Sequence, residues 1–206
     1  LPQVAFAQPN YRYKIQMVPN DPYYHSSGAL GEGIDDLWSV KALNPEAAWD
    51  VTQGENVVVA VLDGGVDVNH PDLADNIWVN PGEIAGNGID DDGNGFIDDV
   101  TGWDFTDNDN TPADGYSHGT HVAGIIAAVG NNNTGVIGIA PKAKILPIKG
   151  LTDDGIGYDS NLAAGLVYAA DMGADIVNNS WGGPIRTQII ADAISYAHSK
   201  GTIVIA

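Results

Sequence analysis

A chain of 206 residues with 44% hydrophobic content is long enough for one domain with a sizeable core, and too apolar to stay disordered. Its 27 acidic against 8 basic residues give a formal charge of -19, which argues against nucleic acid or an anionic membrane as a partner. There is no cysteine, so disulfides and thiol chemistry are excluded, and no apolar run reaches membrane-spanning length.

Residues 1–30 are rich in Pro, Asn and Tyr and lack a helical period, which reads as an extended arm. No signal peptide is evident, since Leu1 to Phe6 is too short for its apolar part. The chain does not begin with Met, and the expectation is a start inside a longer precursor. From Asn44 onward helices and strands alternate. Asn44 can cap a helix with Pro45 at its first position and Gly54 as its stop. Residues 56–62 form a short Val- and Leu-rich run, suited to a strand buried on both faces. Residues 118–129 are rich in Ala, Ile and Val and end at Gly130, as a buried helix would. Residues 143–148 read as a strand. Asp159 or Ser160 caps a helix that runs to Met172 and stops at Gly173. Residues 175–179 read as a strand, 186–200 as an amphipathic helix closed by Gly201, and 202–206 as a last strand. Alternating strands and helices predict an α/β fold with a parallel sheet, whose ligands sit beyond the carboxyl ends of the strands. Asp63 and Ser180 fall at such ends.

Two segments carry chemistry. Val57 to Leu62 leads into Asp63-Gly64-Gly65, where glycines let the backbone turn sharply beside a carboxylate. Ser117-His118-Gly119-Thr120-His121-Val122-Ala123-Gly124 places an imidazole at the start of a small-residue helix. A carboxylate and an imidazole so placed are two thirds of an acid–base–nucleophile site. Taken alone, Asp63 also fits a strand-terminating turn. His121 lies about one helical turn from His118, so a metal pair is conceivable. Zinc catalysis wants a carboxylate base at HExxH-type spacing, and Gly119 and Thr120 stand in its place. His121 is therefore read as structural.

No Lys or Arg occurs between Ala42 and Pro141, although most of the acid lies there. Uncompensated charge in a folded segment calls for counter-ions, with a solvated acidic surface as the bland alternative. The run Asp90-Asp91-Asp92-Gly93-Asn94-Gly95-Phe96-Ile97-Asp98-Asp99 has the D-x-D-x-N-G core of a calcium loop. Side chains of Asp90, Asp92, Asn94 and Asp98, with the Phe96 carbonyl, are the candidate ligands. Thr101 stands at position twelve in place of a bidentate Glu, which makes this a shortened loop.

The Asp63 and His118 segments, in that chain order, resemble the motifs of the subtilisin-like serine proteases, and the resemblance covers nearly the whole chain. It implies a three-layer α/β fold with a parallel central sheet, truncated on its C-terminal side. It also implies a secreted serine endopeptidase, made as a zymogen, that cleaves polypeptides by acyl transfer with an Asp-His-Ser triad. Asp63 and His118 would be the orienter and the base. No Gly-Thr-Ser nucleophile segment occurs before Ala206, and the strand 201–206 resembles the one that leads to the oxyanion-hole Asn. The nucleophile and that donor are expected beyond residue 206, and residues 1–206 alone are expected to be inactive and marginally stable. Gly155-Ile156-Gly157 and Ser180-Trp181-Gly182 resemble the two edges that hold extended substrate; a surface turn and a core tryptophan are the plain alternatives. Gly150 departs from the bulky residue usual there. Asp72 and Asn132, with carbonyls of Gly130, Thr134 and Val136, resemble the strong calcium site of the family, against a reading as simple turns.

The resemblance further divides the chain. Residues 1–16 look like the remnant of the inhibitory prodomain and its linker, the molecule's own intramolecular inhibitor. Residues 17–206 look like the first part of the peptidase domain, with an acidic insertion at about 80–112. Two rival readings remain open at this point. One is a calcium-binding, non-catalytic interaction domain on a protease scaffold. The other is a metallohydrolase using His118, His121 and nearby acids.

Overall fold

Strand β1 (Val58–Asp63) lies at the centre of the molecule, and the rest is built around it. The computed structural model describes residues 17–29, 31 and 33–206, so the proposed prodomain remnant at 1–16 falls outside the described residues. β2 (Trp103–Asp104), β3 (Lys144–Lys149), β4 (Ile176–Asn178) and β5 (Ile203–Ile205) complete a five-stranded sheet of order β2-β3-β1-β4-β5. Every pairing is parallel, and Asp63 stands opposite Lys149 in the β1–β3 register.

Side chains alternate along β1 and feed two cores, as the period of two demands. Ala60 and Leu62 join Leu146, Ile148, Leu162, Leu166, Tyr168 and Ala193 on one face. Helices α5 (Asp159–Asp171) and α6 (Gln188–Lys200) cover that face. Val59 and Val61 join Ile145, Ala123 and Ala127 on the other, beneath α4 (His118–Ala127). This is the three-layer α/β arrangement expected from the sequence. A small third core of Tyr24, Val40, Trp49 and Ile137 ties in the short helices α1 (Pro22–His25), α2 (Trp38–Ala42) and α3 (Glu46–Trp49).

The helix expected over 44–54 shrinks to the single turn of α3. Asn44 takes a left-handed backbone (φ 50°) and so turns the chain, leaving Pro45 at the N-cap. α6 begins at Gln188 rather than Arg186, after Thr187 in extended conformation. The two-residue strand β2 and helices α1 and α2 were not foreseen; each is too short to carry a period.

α4 sits so close to β1 that only glycine fits where they cross. A Cβ on Gly119 would lie 2.1 Å from the Gly65 carbonyl oxygen and 3.1 Å from the Asp63 Cβ. Helix propensity favours Ala over Gly by about 1 kcal/mol, but forcing a methyl into backbone typically costs about 1–3 kcal/mol and separates the layers. Gly119→Ala is therefore expected to lower the denaturant midpoint, in spite of the better helix former. A rise in the midpoint would show that α4 can retreat from β1 at no cost.

Candidate active site

Asp63 ends β1 with its side chain fully buried, while the His118 ring opens α4 with 42% of its side chain exposed. His118 Nδ1 lies 2.9 Å from both carboxylate oxygens of Asp63. The Gly64 N–H donates to Asp63 Oδ1 at 2.7 Å, fixing the carboxylate plane. A ring held through Nδ1–H by a carboxylate keeps the lone pair of Nε2 available to a third group. Among the described residues no hydroxyl bonds to Nε2.

The approach to His118 is held by a residue the sequence reading passed over. Ser117 is the N-cap of α4, but its backbone is left-handed (φ 67°) and its hydroxyl makes no cap bond. Asp114 does the capping instead. Its Oδ1 accepts from the Tyr116 and Ser117 N–H groups, and its Oδ2 from the Thr120 N–H and hydroxyl. Four bonds on one carboxylate fix the turn that aims the imidazole. A carboxylate also suits the positive end of a helix. An Asp three residues before an N-cap is the signal that was there to find.

The two candidate substrate edges lie beyond the sheet on the α5–α6 side. Trp181 donates its indole N–H to the Leu62 carbonyl (3.0 Å) and packs on the larger core, so it is a core residue and an edge residue at once. Ser180 Oγ accepts from the Asn178 amide (2.8 Å). Gly182 has open space around it. Gly155 turns with φ 74° against the Tyr116 ring, and a Cβ on Gly157 would meet Leu151 at 2.5 Å, so Gly157 is required by packing. Leu151, Gly155, Gly157, Leu162, Trp181 and Gly182 line a cavity of about 640 Å³ between the two edges. At Gly150 a Cβ would lie 2.7 Å from Leu62 and 3.1 Å from Leu162, which fill the space a bulky residue there would need.

Metal-binding side chains gather somewhat differently from expectation. Among the described residues, Glu83, Asp90 and Asp92 bring one ligand atom each within 4.8 Å of one another. Asp90 accepts from the Gly93, Asn94 and Gly95 N–H groups, and the bond from Gly95 above all holds its carboxyl below the ordinary value. Asn94 lies beside Asp92, its amide donating to both Asp92 and the buried Asp99. The ring of Phe96 packs edge-on to Trp103 and Tyr168, which anchors the loop to the core. The Asp98 carboxylate accepts from the Gly86, Asn87 and Gly88 N–H groups and is not one of the three acids that converge. Glu83, from outside the 90–99 run, is the third acid of that cluster. Burial raises the Asp99 carboxyl above its ordinary value, against bonds from the Tyr168 hydroxyl, Asn80 and Asn94.

Around the second candidate site two buried carboxylates bond to the loop 131–136. Asp72 is buried and accepts from the Asn132 amide (2.7 Å) and the Val136 N–H (2.8 Å). Thr134 closes the same loop through its N–H to Asn132 Oδ1, and Gly130 enters it. Asp21, fully buried, binds the Asn131 N–H with one oxygen and leaves the other, Oδ1, with no partner. An orphaned buried carboxylate oxygen is costly, and a hard cation is the partner such oxygen donors fit. His121, by contrast, is exposed and lies outside the Glu83 cluster.

A parallel sheet whose central strand ends in a buried Asp paired to a helix-opening His defines a class of hydrolase site. The Subtilase family model matches residues 54–206, and the chain belongs to that family. It is 39% identical over 188 residues to thermitase of Thermoactinomyces vulgaris, a match covering 91% of this chain and 56% of thermitase. It is 38% identical over 206 residues to the thermophilic serine proteinase of Bacillus sp. (strain AK1), covering all of this chain and 44% of that protein. Its fold matches a protease from Pseudoalteromonas arctica with a TM-score of 0.68 and 30% identity, over 91% of this chain and 57% of the other. The chain thus spans about half the length of these relatives.

Proposed function

We propose that the whole protein is a serine endopeptidase in which Asp63 and His118 act as orienter and base. The observation that carries this reading is the bond from His118 Nδ1 to the buried Asp63 carboxylate, 2.9 Å long at a strand end. Nε2 would take the proton of a serine hydroxyl as its oxygen attacks the peptide carbonyl, then return it to the leaving amine. Asp63 stabilises the imidazolium formed between the two steps. Extended polypeptide would lie between 155–157 and 180–182, adding a strand through backbone bonds. The serine belongs to sequence beyond residue 206.

Calcium is the proposed cofactor, at two places. Glu83, Asp90 and Asp92, with Asn94 and the Phe96 carbonyl, supply one all-oxygen set. Asp21, Asp72 and Asn132, with carbonyls of Gly130, Thr134 and Val136, supply the other. The ions would neutralise the acid-rich surface and hold the loops. Export from the cell and inhibition by a prodomain ending at 1–16 complete the proposal. Among the described residues no helix is long and apolar enough to cross a membrane.

A serine-directed fluorophosphonate tests the reading. The full-length protein should take up one label, mapped by peptide analysis to a serine after residue 206, with loss of peptide cleavage. Residues 1–206 alone should take up none. Stoichiometric labelling of Ser117, Ser180 or any other serine within them would overturn the assignment. A full-length protein that binds calcium but never labels would favour the non-catalytic interaction domain.

A further inference from the structure

Lys149, the last residue of β3, is a buried cation beside the candidate active site. Its side chain is 8% exposed, whereas Lys41, Lys142 and Lys200, the other lysines in ion pairs among the described residues, are 29–54% exposed. Its backbone faces Asp63 in the β1–β3 register. Its Nζ donates to Asp153 Oδ1 at 2.6 Å and lies 3.7 Å from Asp104 Oδ2. Burial alone would lower the pKa of its ammonium, but Asp153, Asp104 and Asp107 carry it above the ordinary lysine value.

The two carboxylates are differently placed. Asp104 is buried and needs a cation there, because its other oxygen already accepts from Thr106 and Asp107. Asp153 is 67% exposed and would be well solvated without Lys149. It nonetheless bonds to the buried ammonium, and its carboxylate sits against Gly115, where a Cβ would lie 2.2 Å from its Cγ. Two residues on, Gly155 rests on the Tyr116 ring. Gly115 and Tyr116 belong to the turn that Asp114 fixes ahead of His118. Within the 152–157 turn the closing bonds are from the Thr152 N–H to the Ile156 carbonyl and from the Gly155 N–H to the Thr152 carbonyl. The Leu151–Gly157 bridge and the Gly150 and Leu151 N–H bonds to the Asp63 carbonyl hold the base of the turn, and the Lys149–Asp153 pair holds its outer part.

We propose that Lys149 is a positioning residue: through Asp153 it ties the substrate-edge turn 152–157 to the end of β3 and against the turn that carries His118. The inference rests on the peptidase reading for its kinetic consequence, though the tether itself does not. Lys149 does not line the cavity between the two edges, and its Nζ pairs with Asp153 and Asp104 rather than with Asp63 or His118. Its effect is on how well the 155–157 edge is formed before substrate arrives, so it acts on binding of residues upstream of the cut.

Asp153→Asn in the full-length protein is the first variant, because it spares the buried Lys149–Asp104 pair. A charge-assisted bond at a partly buried site is worth roughly a factor of ten in an equilibrium. KM for a peptide extending four or more residues upstream of the cleaved bond is expected to rise about tenfold. Its kcat, and kcat/KM for an ester of a single residue, should stay unchanged. Amide hydrogen exchange at Gly155, Ile156 and Gly157 should quicken about tenfold, with β1 and β3 unaffected. Lys149→Met combined with Asp104→Asn removes the cation without stranding a buried charge. It should behave like Asp153→Asn, and adding Asp153→Asn to it should change nothing more. Equal loss on long and short substrates, additive effects, or unchanged exchange at 155–157 would overturn the tether. If the unmutated protein turned over neither substrate, the peptidase reading would fail, while the exchange experiment would still decide the tether.

Discussion

Asp63→Asn in the full-length protein should abolish nearly all peptide turnover while leaving the fold in place. The amide keeps the size of the carboxylate, so it still fits the buried end of β1 and still bonds to the Gly64 N–H through its oxygen. Its NH2, however, presents a donor to His118 Nδ1. The ring then adopts the tautomer with its hydrogen on Nε2, and the base is lost. The same change in a protease triad on another fold lowers kcat about 10⁴-fold. His118→Ala should be at least as severe, since it removes the base and not only its orientation. Circular dichroism and melting temperature should be close to those of the parent protein for His118→Ala, whose side chain is 42% exposed. Near-normal peptidase activity in His118→Ala would refute the assignment of the pair.

Chelation should produce the largest change in stability. The charge of -19 is concentrated where no basic residue falls, and Glu83, Asp90 and Asp92 converge there. A ligand bound only by the folded state adds about 2.7 kcal/mol when present at a hundredfold excess over its Kd. For a chain of this size that corresponds to a Tm loss of roughly 5–10 °C per site on adding a chelator. Asp90→Ala/Asp92→Ala should remove one share of that loss, and Asp21→Ala the other. An unchanged Tm in chelator would count against both sites. A loss that survives both sets of substitutions would mean the cation binds elsewhere.

The fold and the Asp63–His118 pair were legible because each signal is local. A run of Val and Leu ending at Asp63, and small residues after His118, need no knowledge of distant chain. Strands β1, β3, β4 and β5 were placed within about two residues for the same reason, as sequence periodicity allows. What escaped the reading depends on contacts between remote segments. Asp21 acts on the Asn131 N–H and Lys149 meets Asp104; Asp114, by contrast, caps its own neighbours and was a local signal. Asp98 shows the limit of a one-loop rule. Alternate spacing names it as a calcium ligand, but the chain folds back so that its oxygens accept from the amides of 86–88, a contact the spacing within 90–99 does not foretell. The same fold-back brings Glu83 beside Asp90 and Asp92, where it also accepts from the Asp98 N–H.

The sheet order also bears on how the protein comes to be folded. β1 has β3 on one side and β4 on the other, and both lie far downstream in the chain. During synthesis the run from Val57 to Leu62 therefore has no strand to pair with until residues 144–149 have been made. Closing such long loops costs entropy before any contact repays it, so parallel sheets of this kind form slowly. An unpaired, β-branched apolar stretch is meanwhile open to intermolecular association. The pairing of Asp63 with His118 needs β1 seated beneath α4.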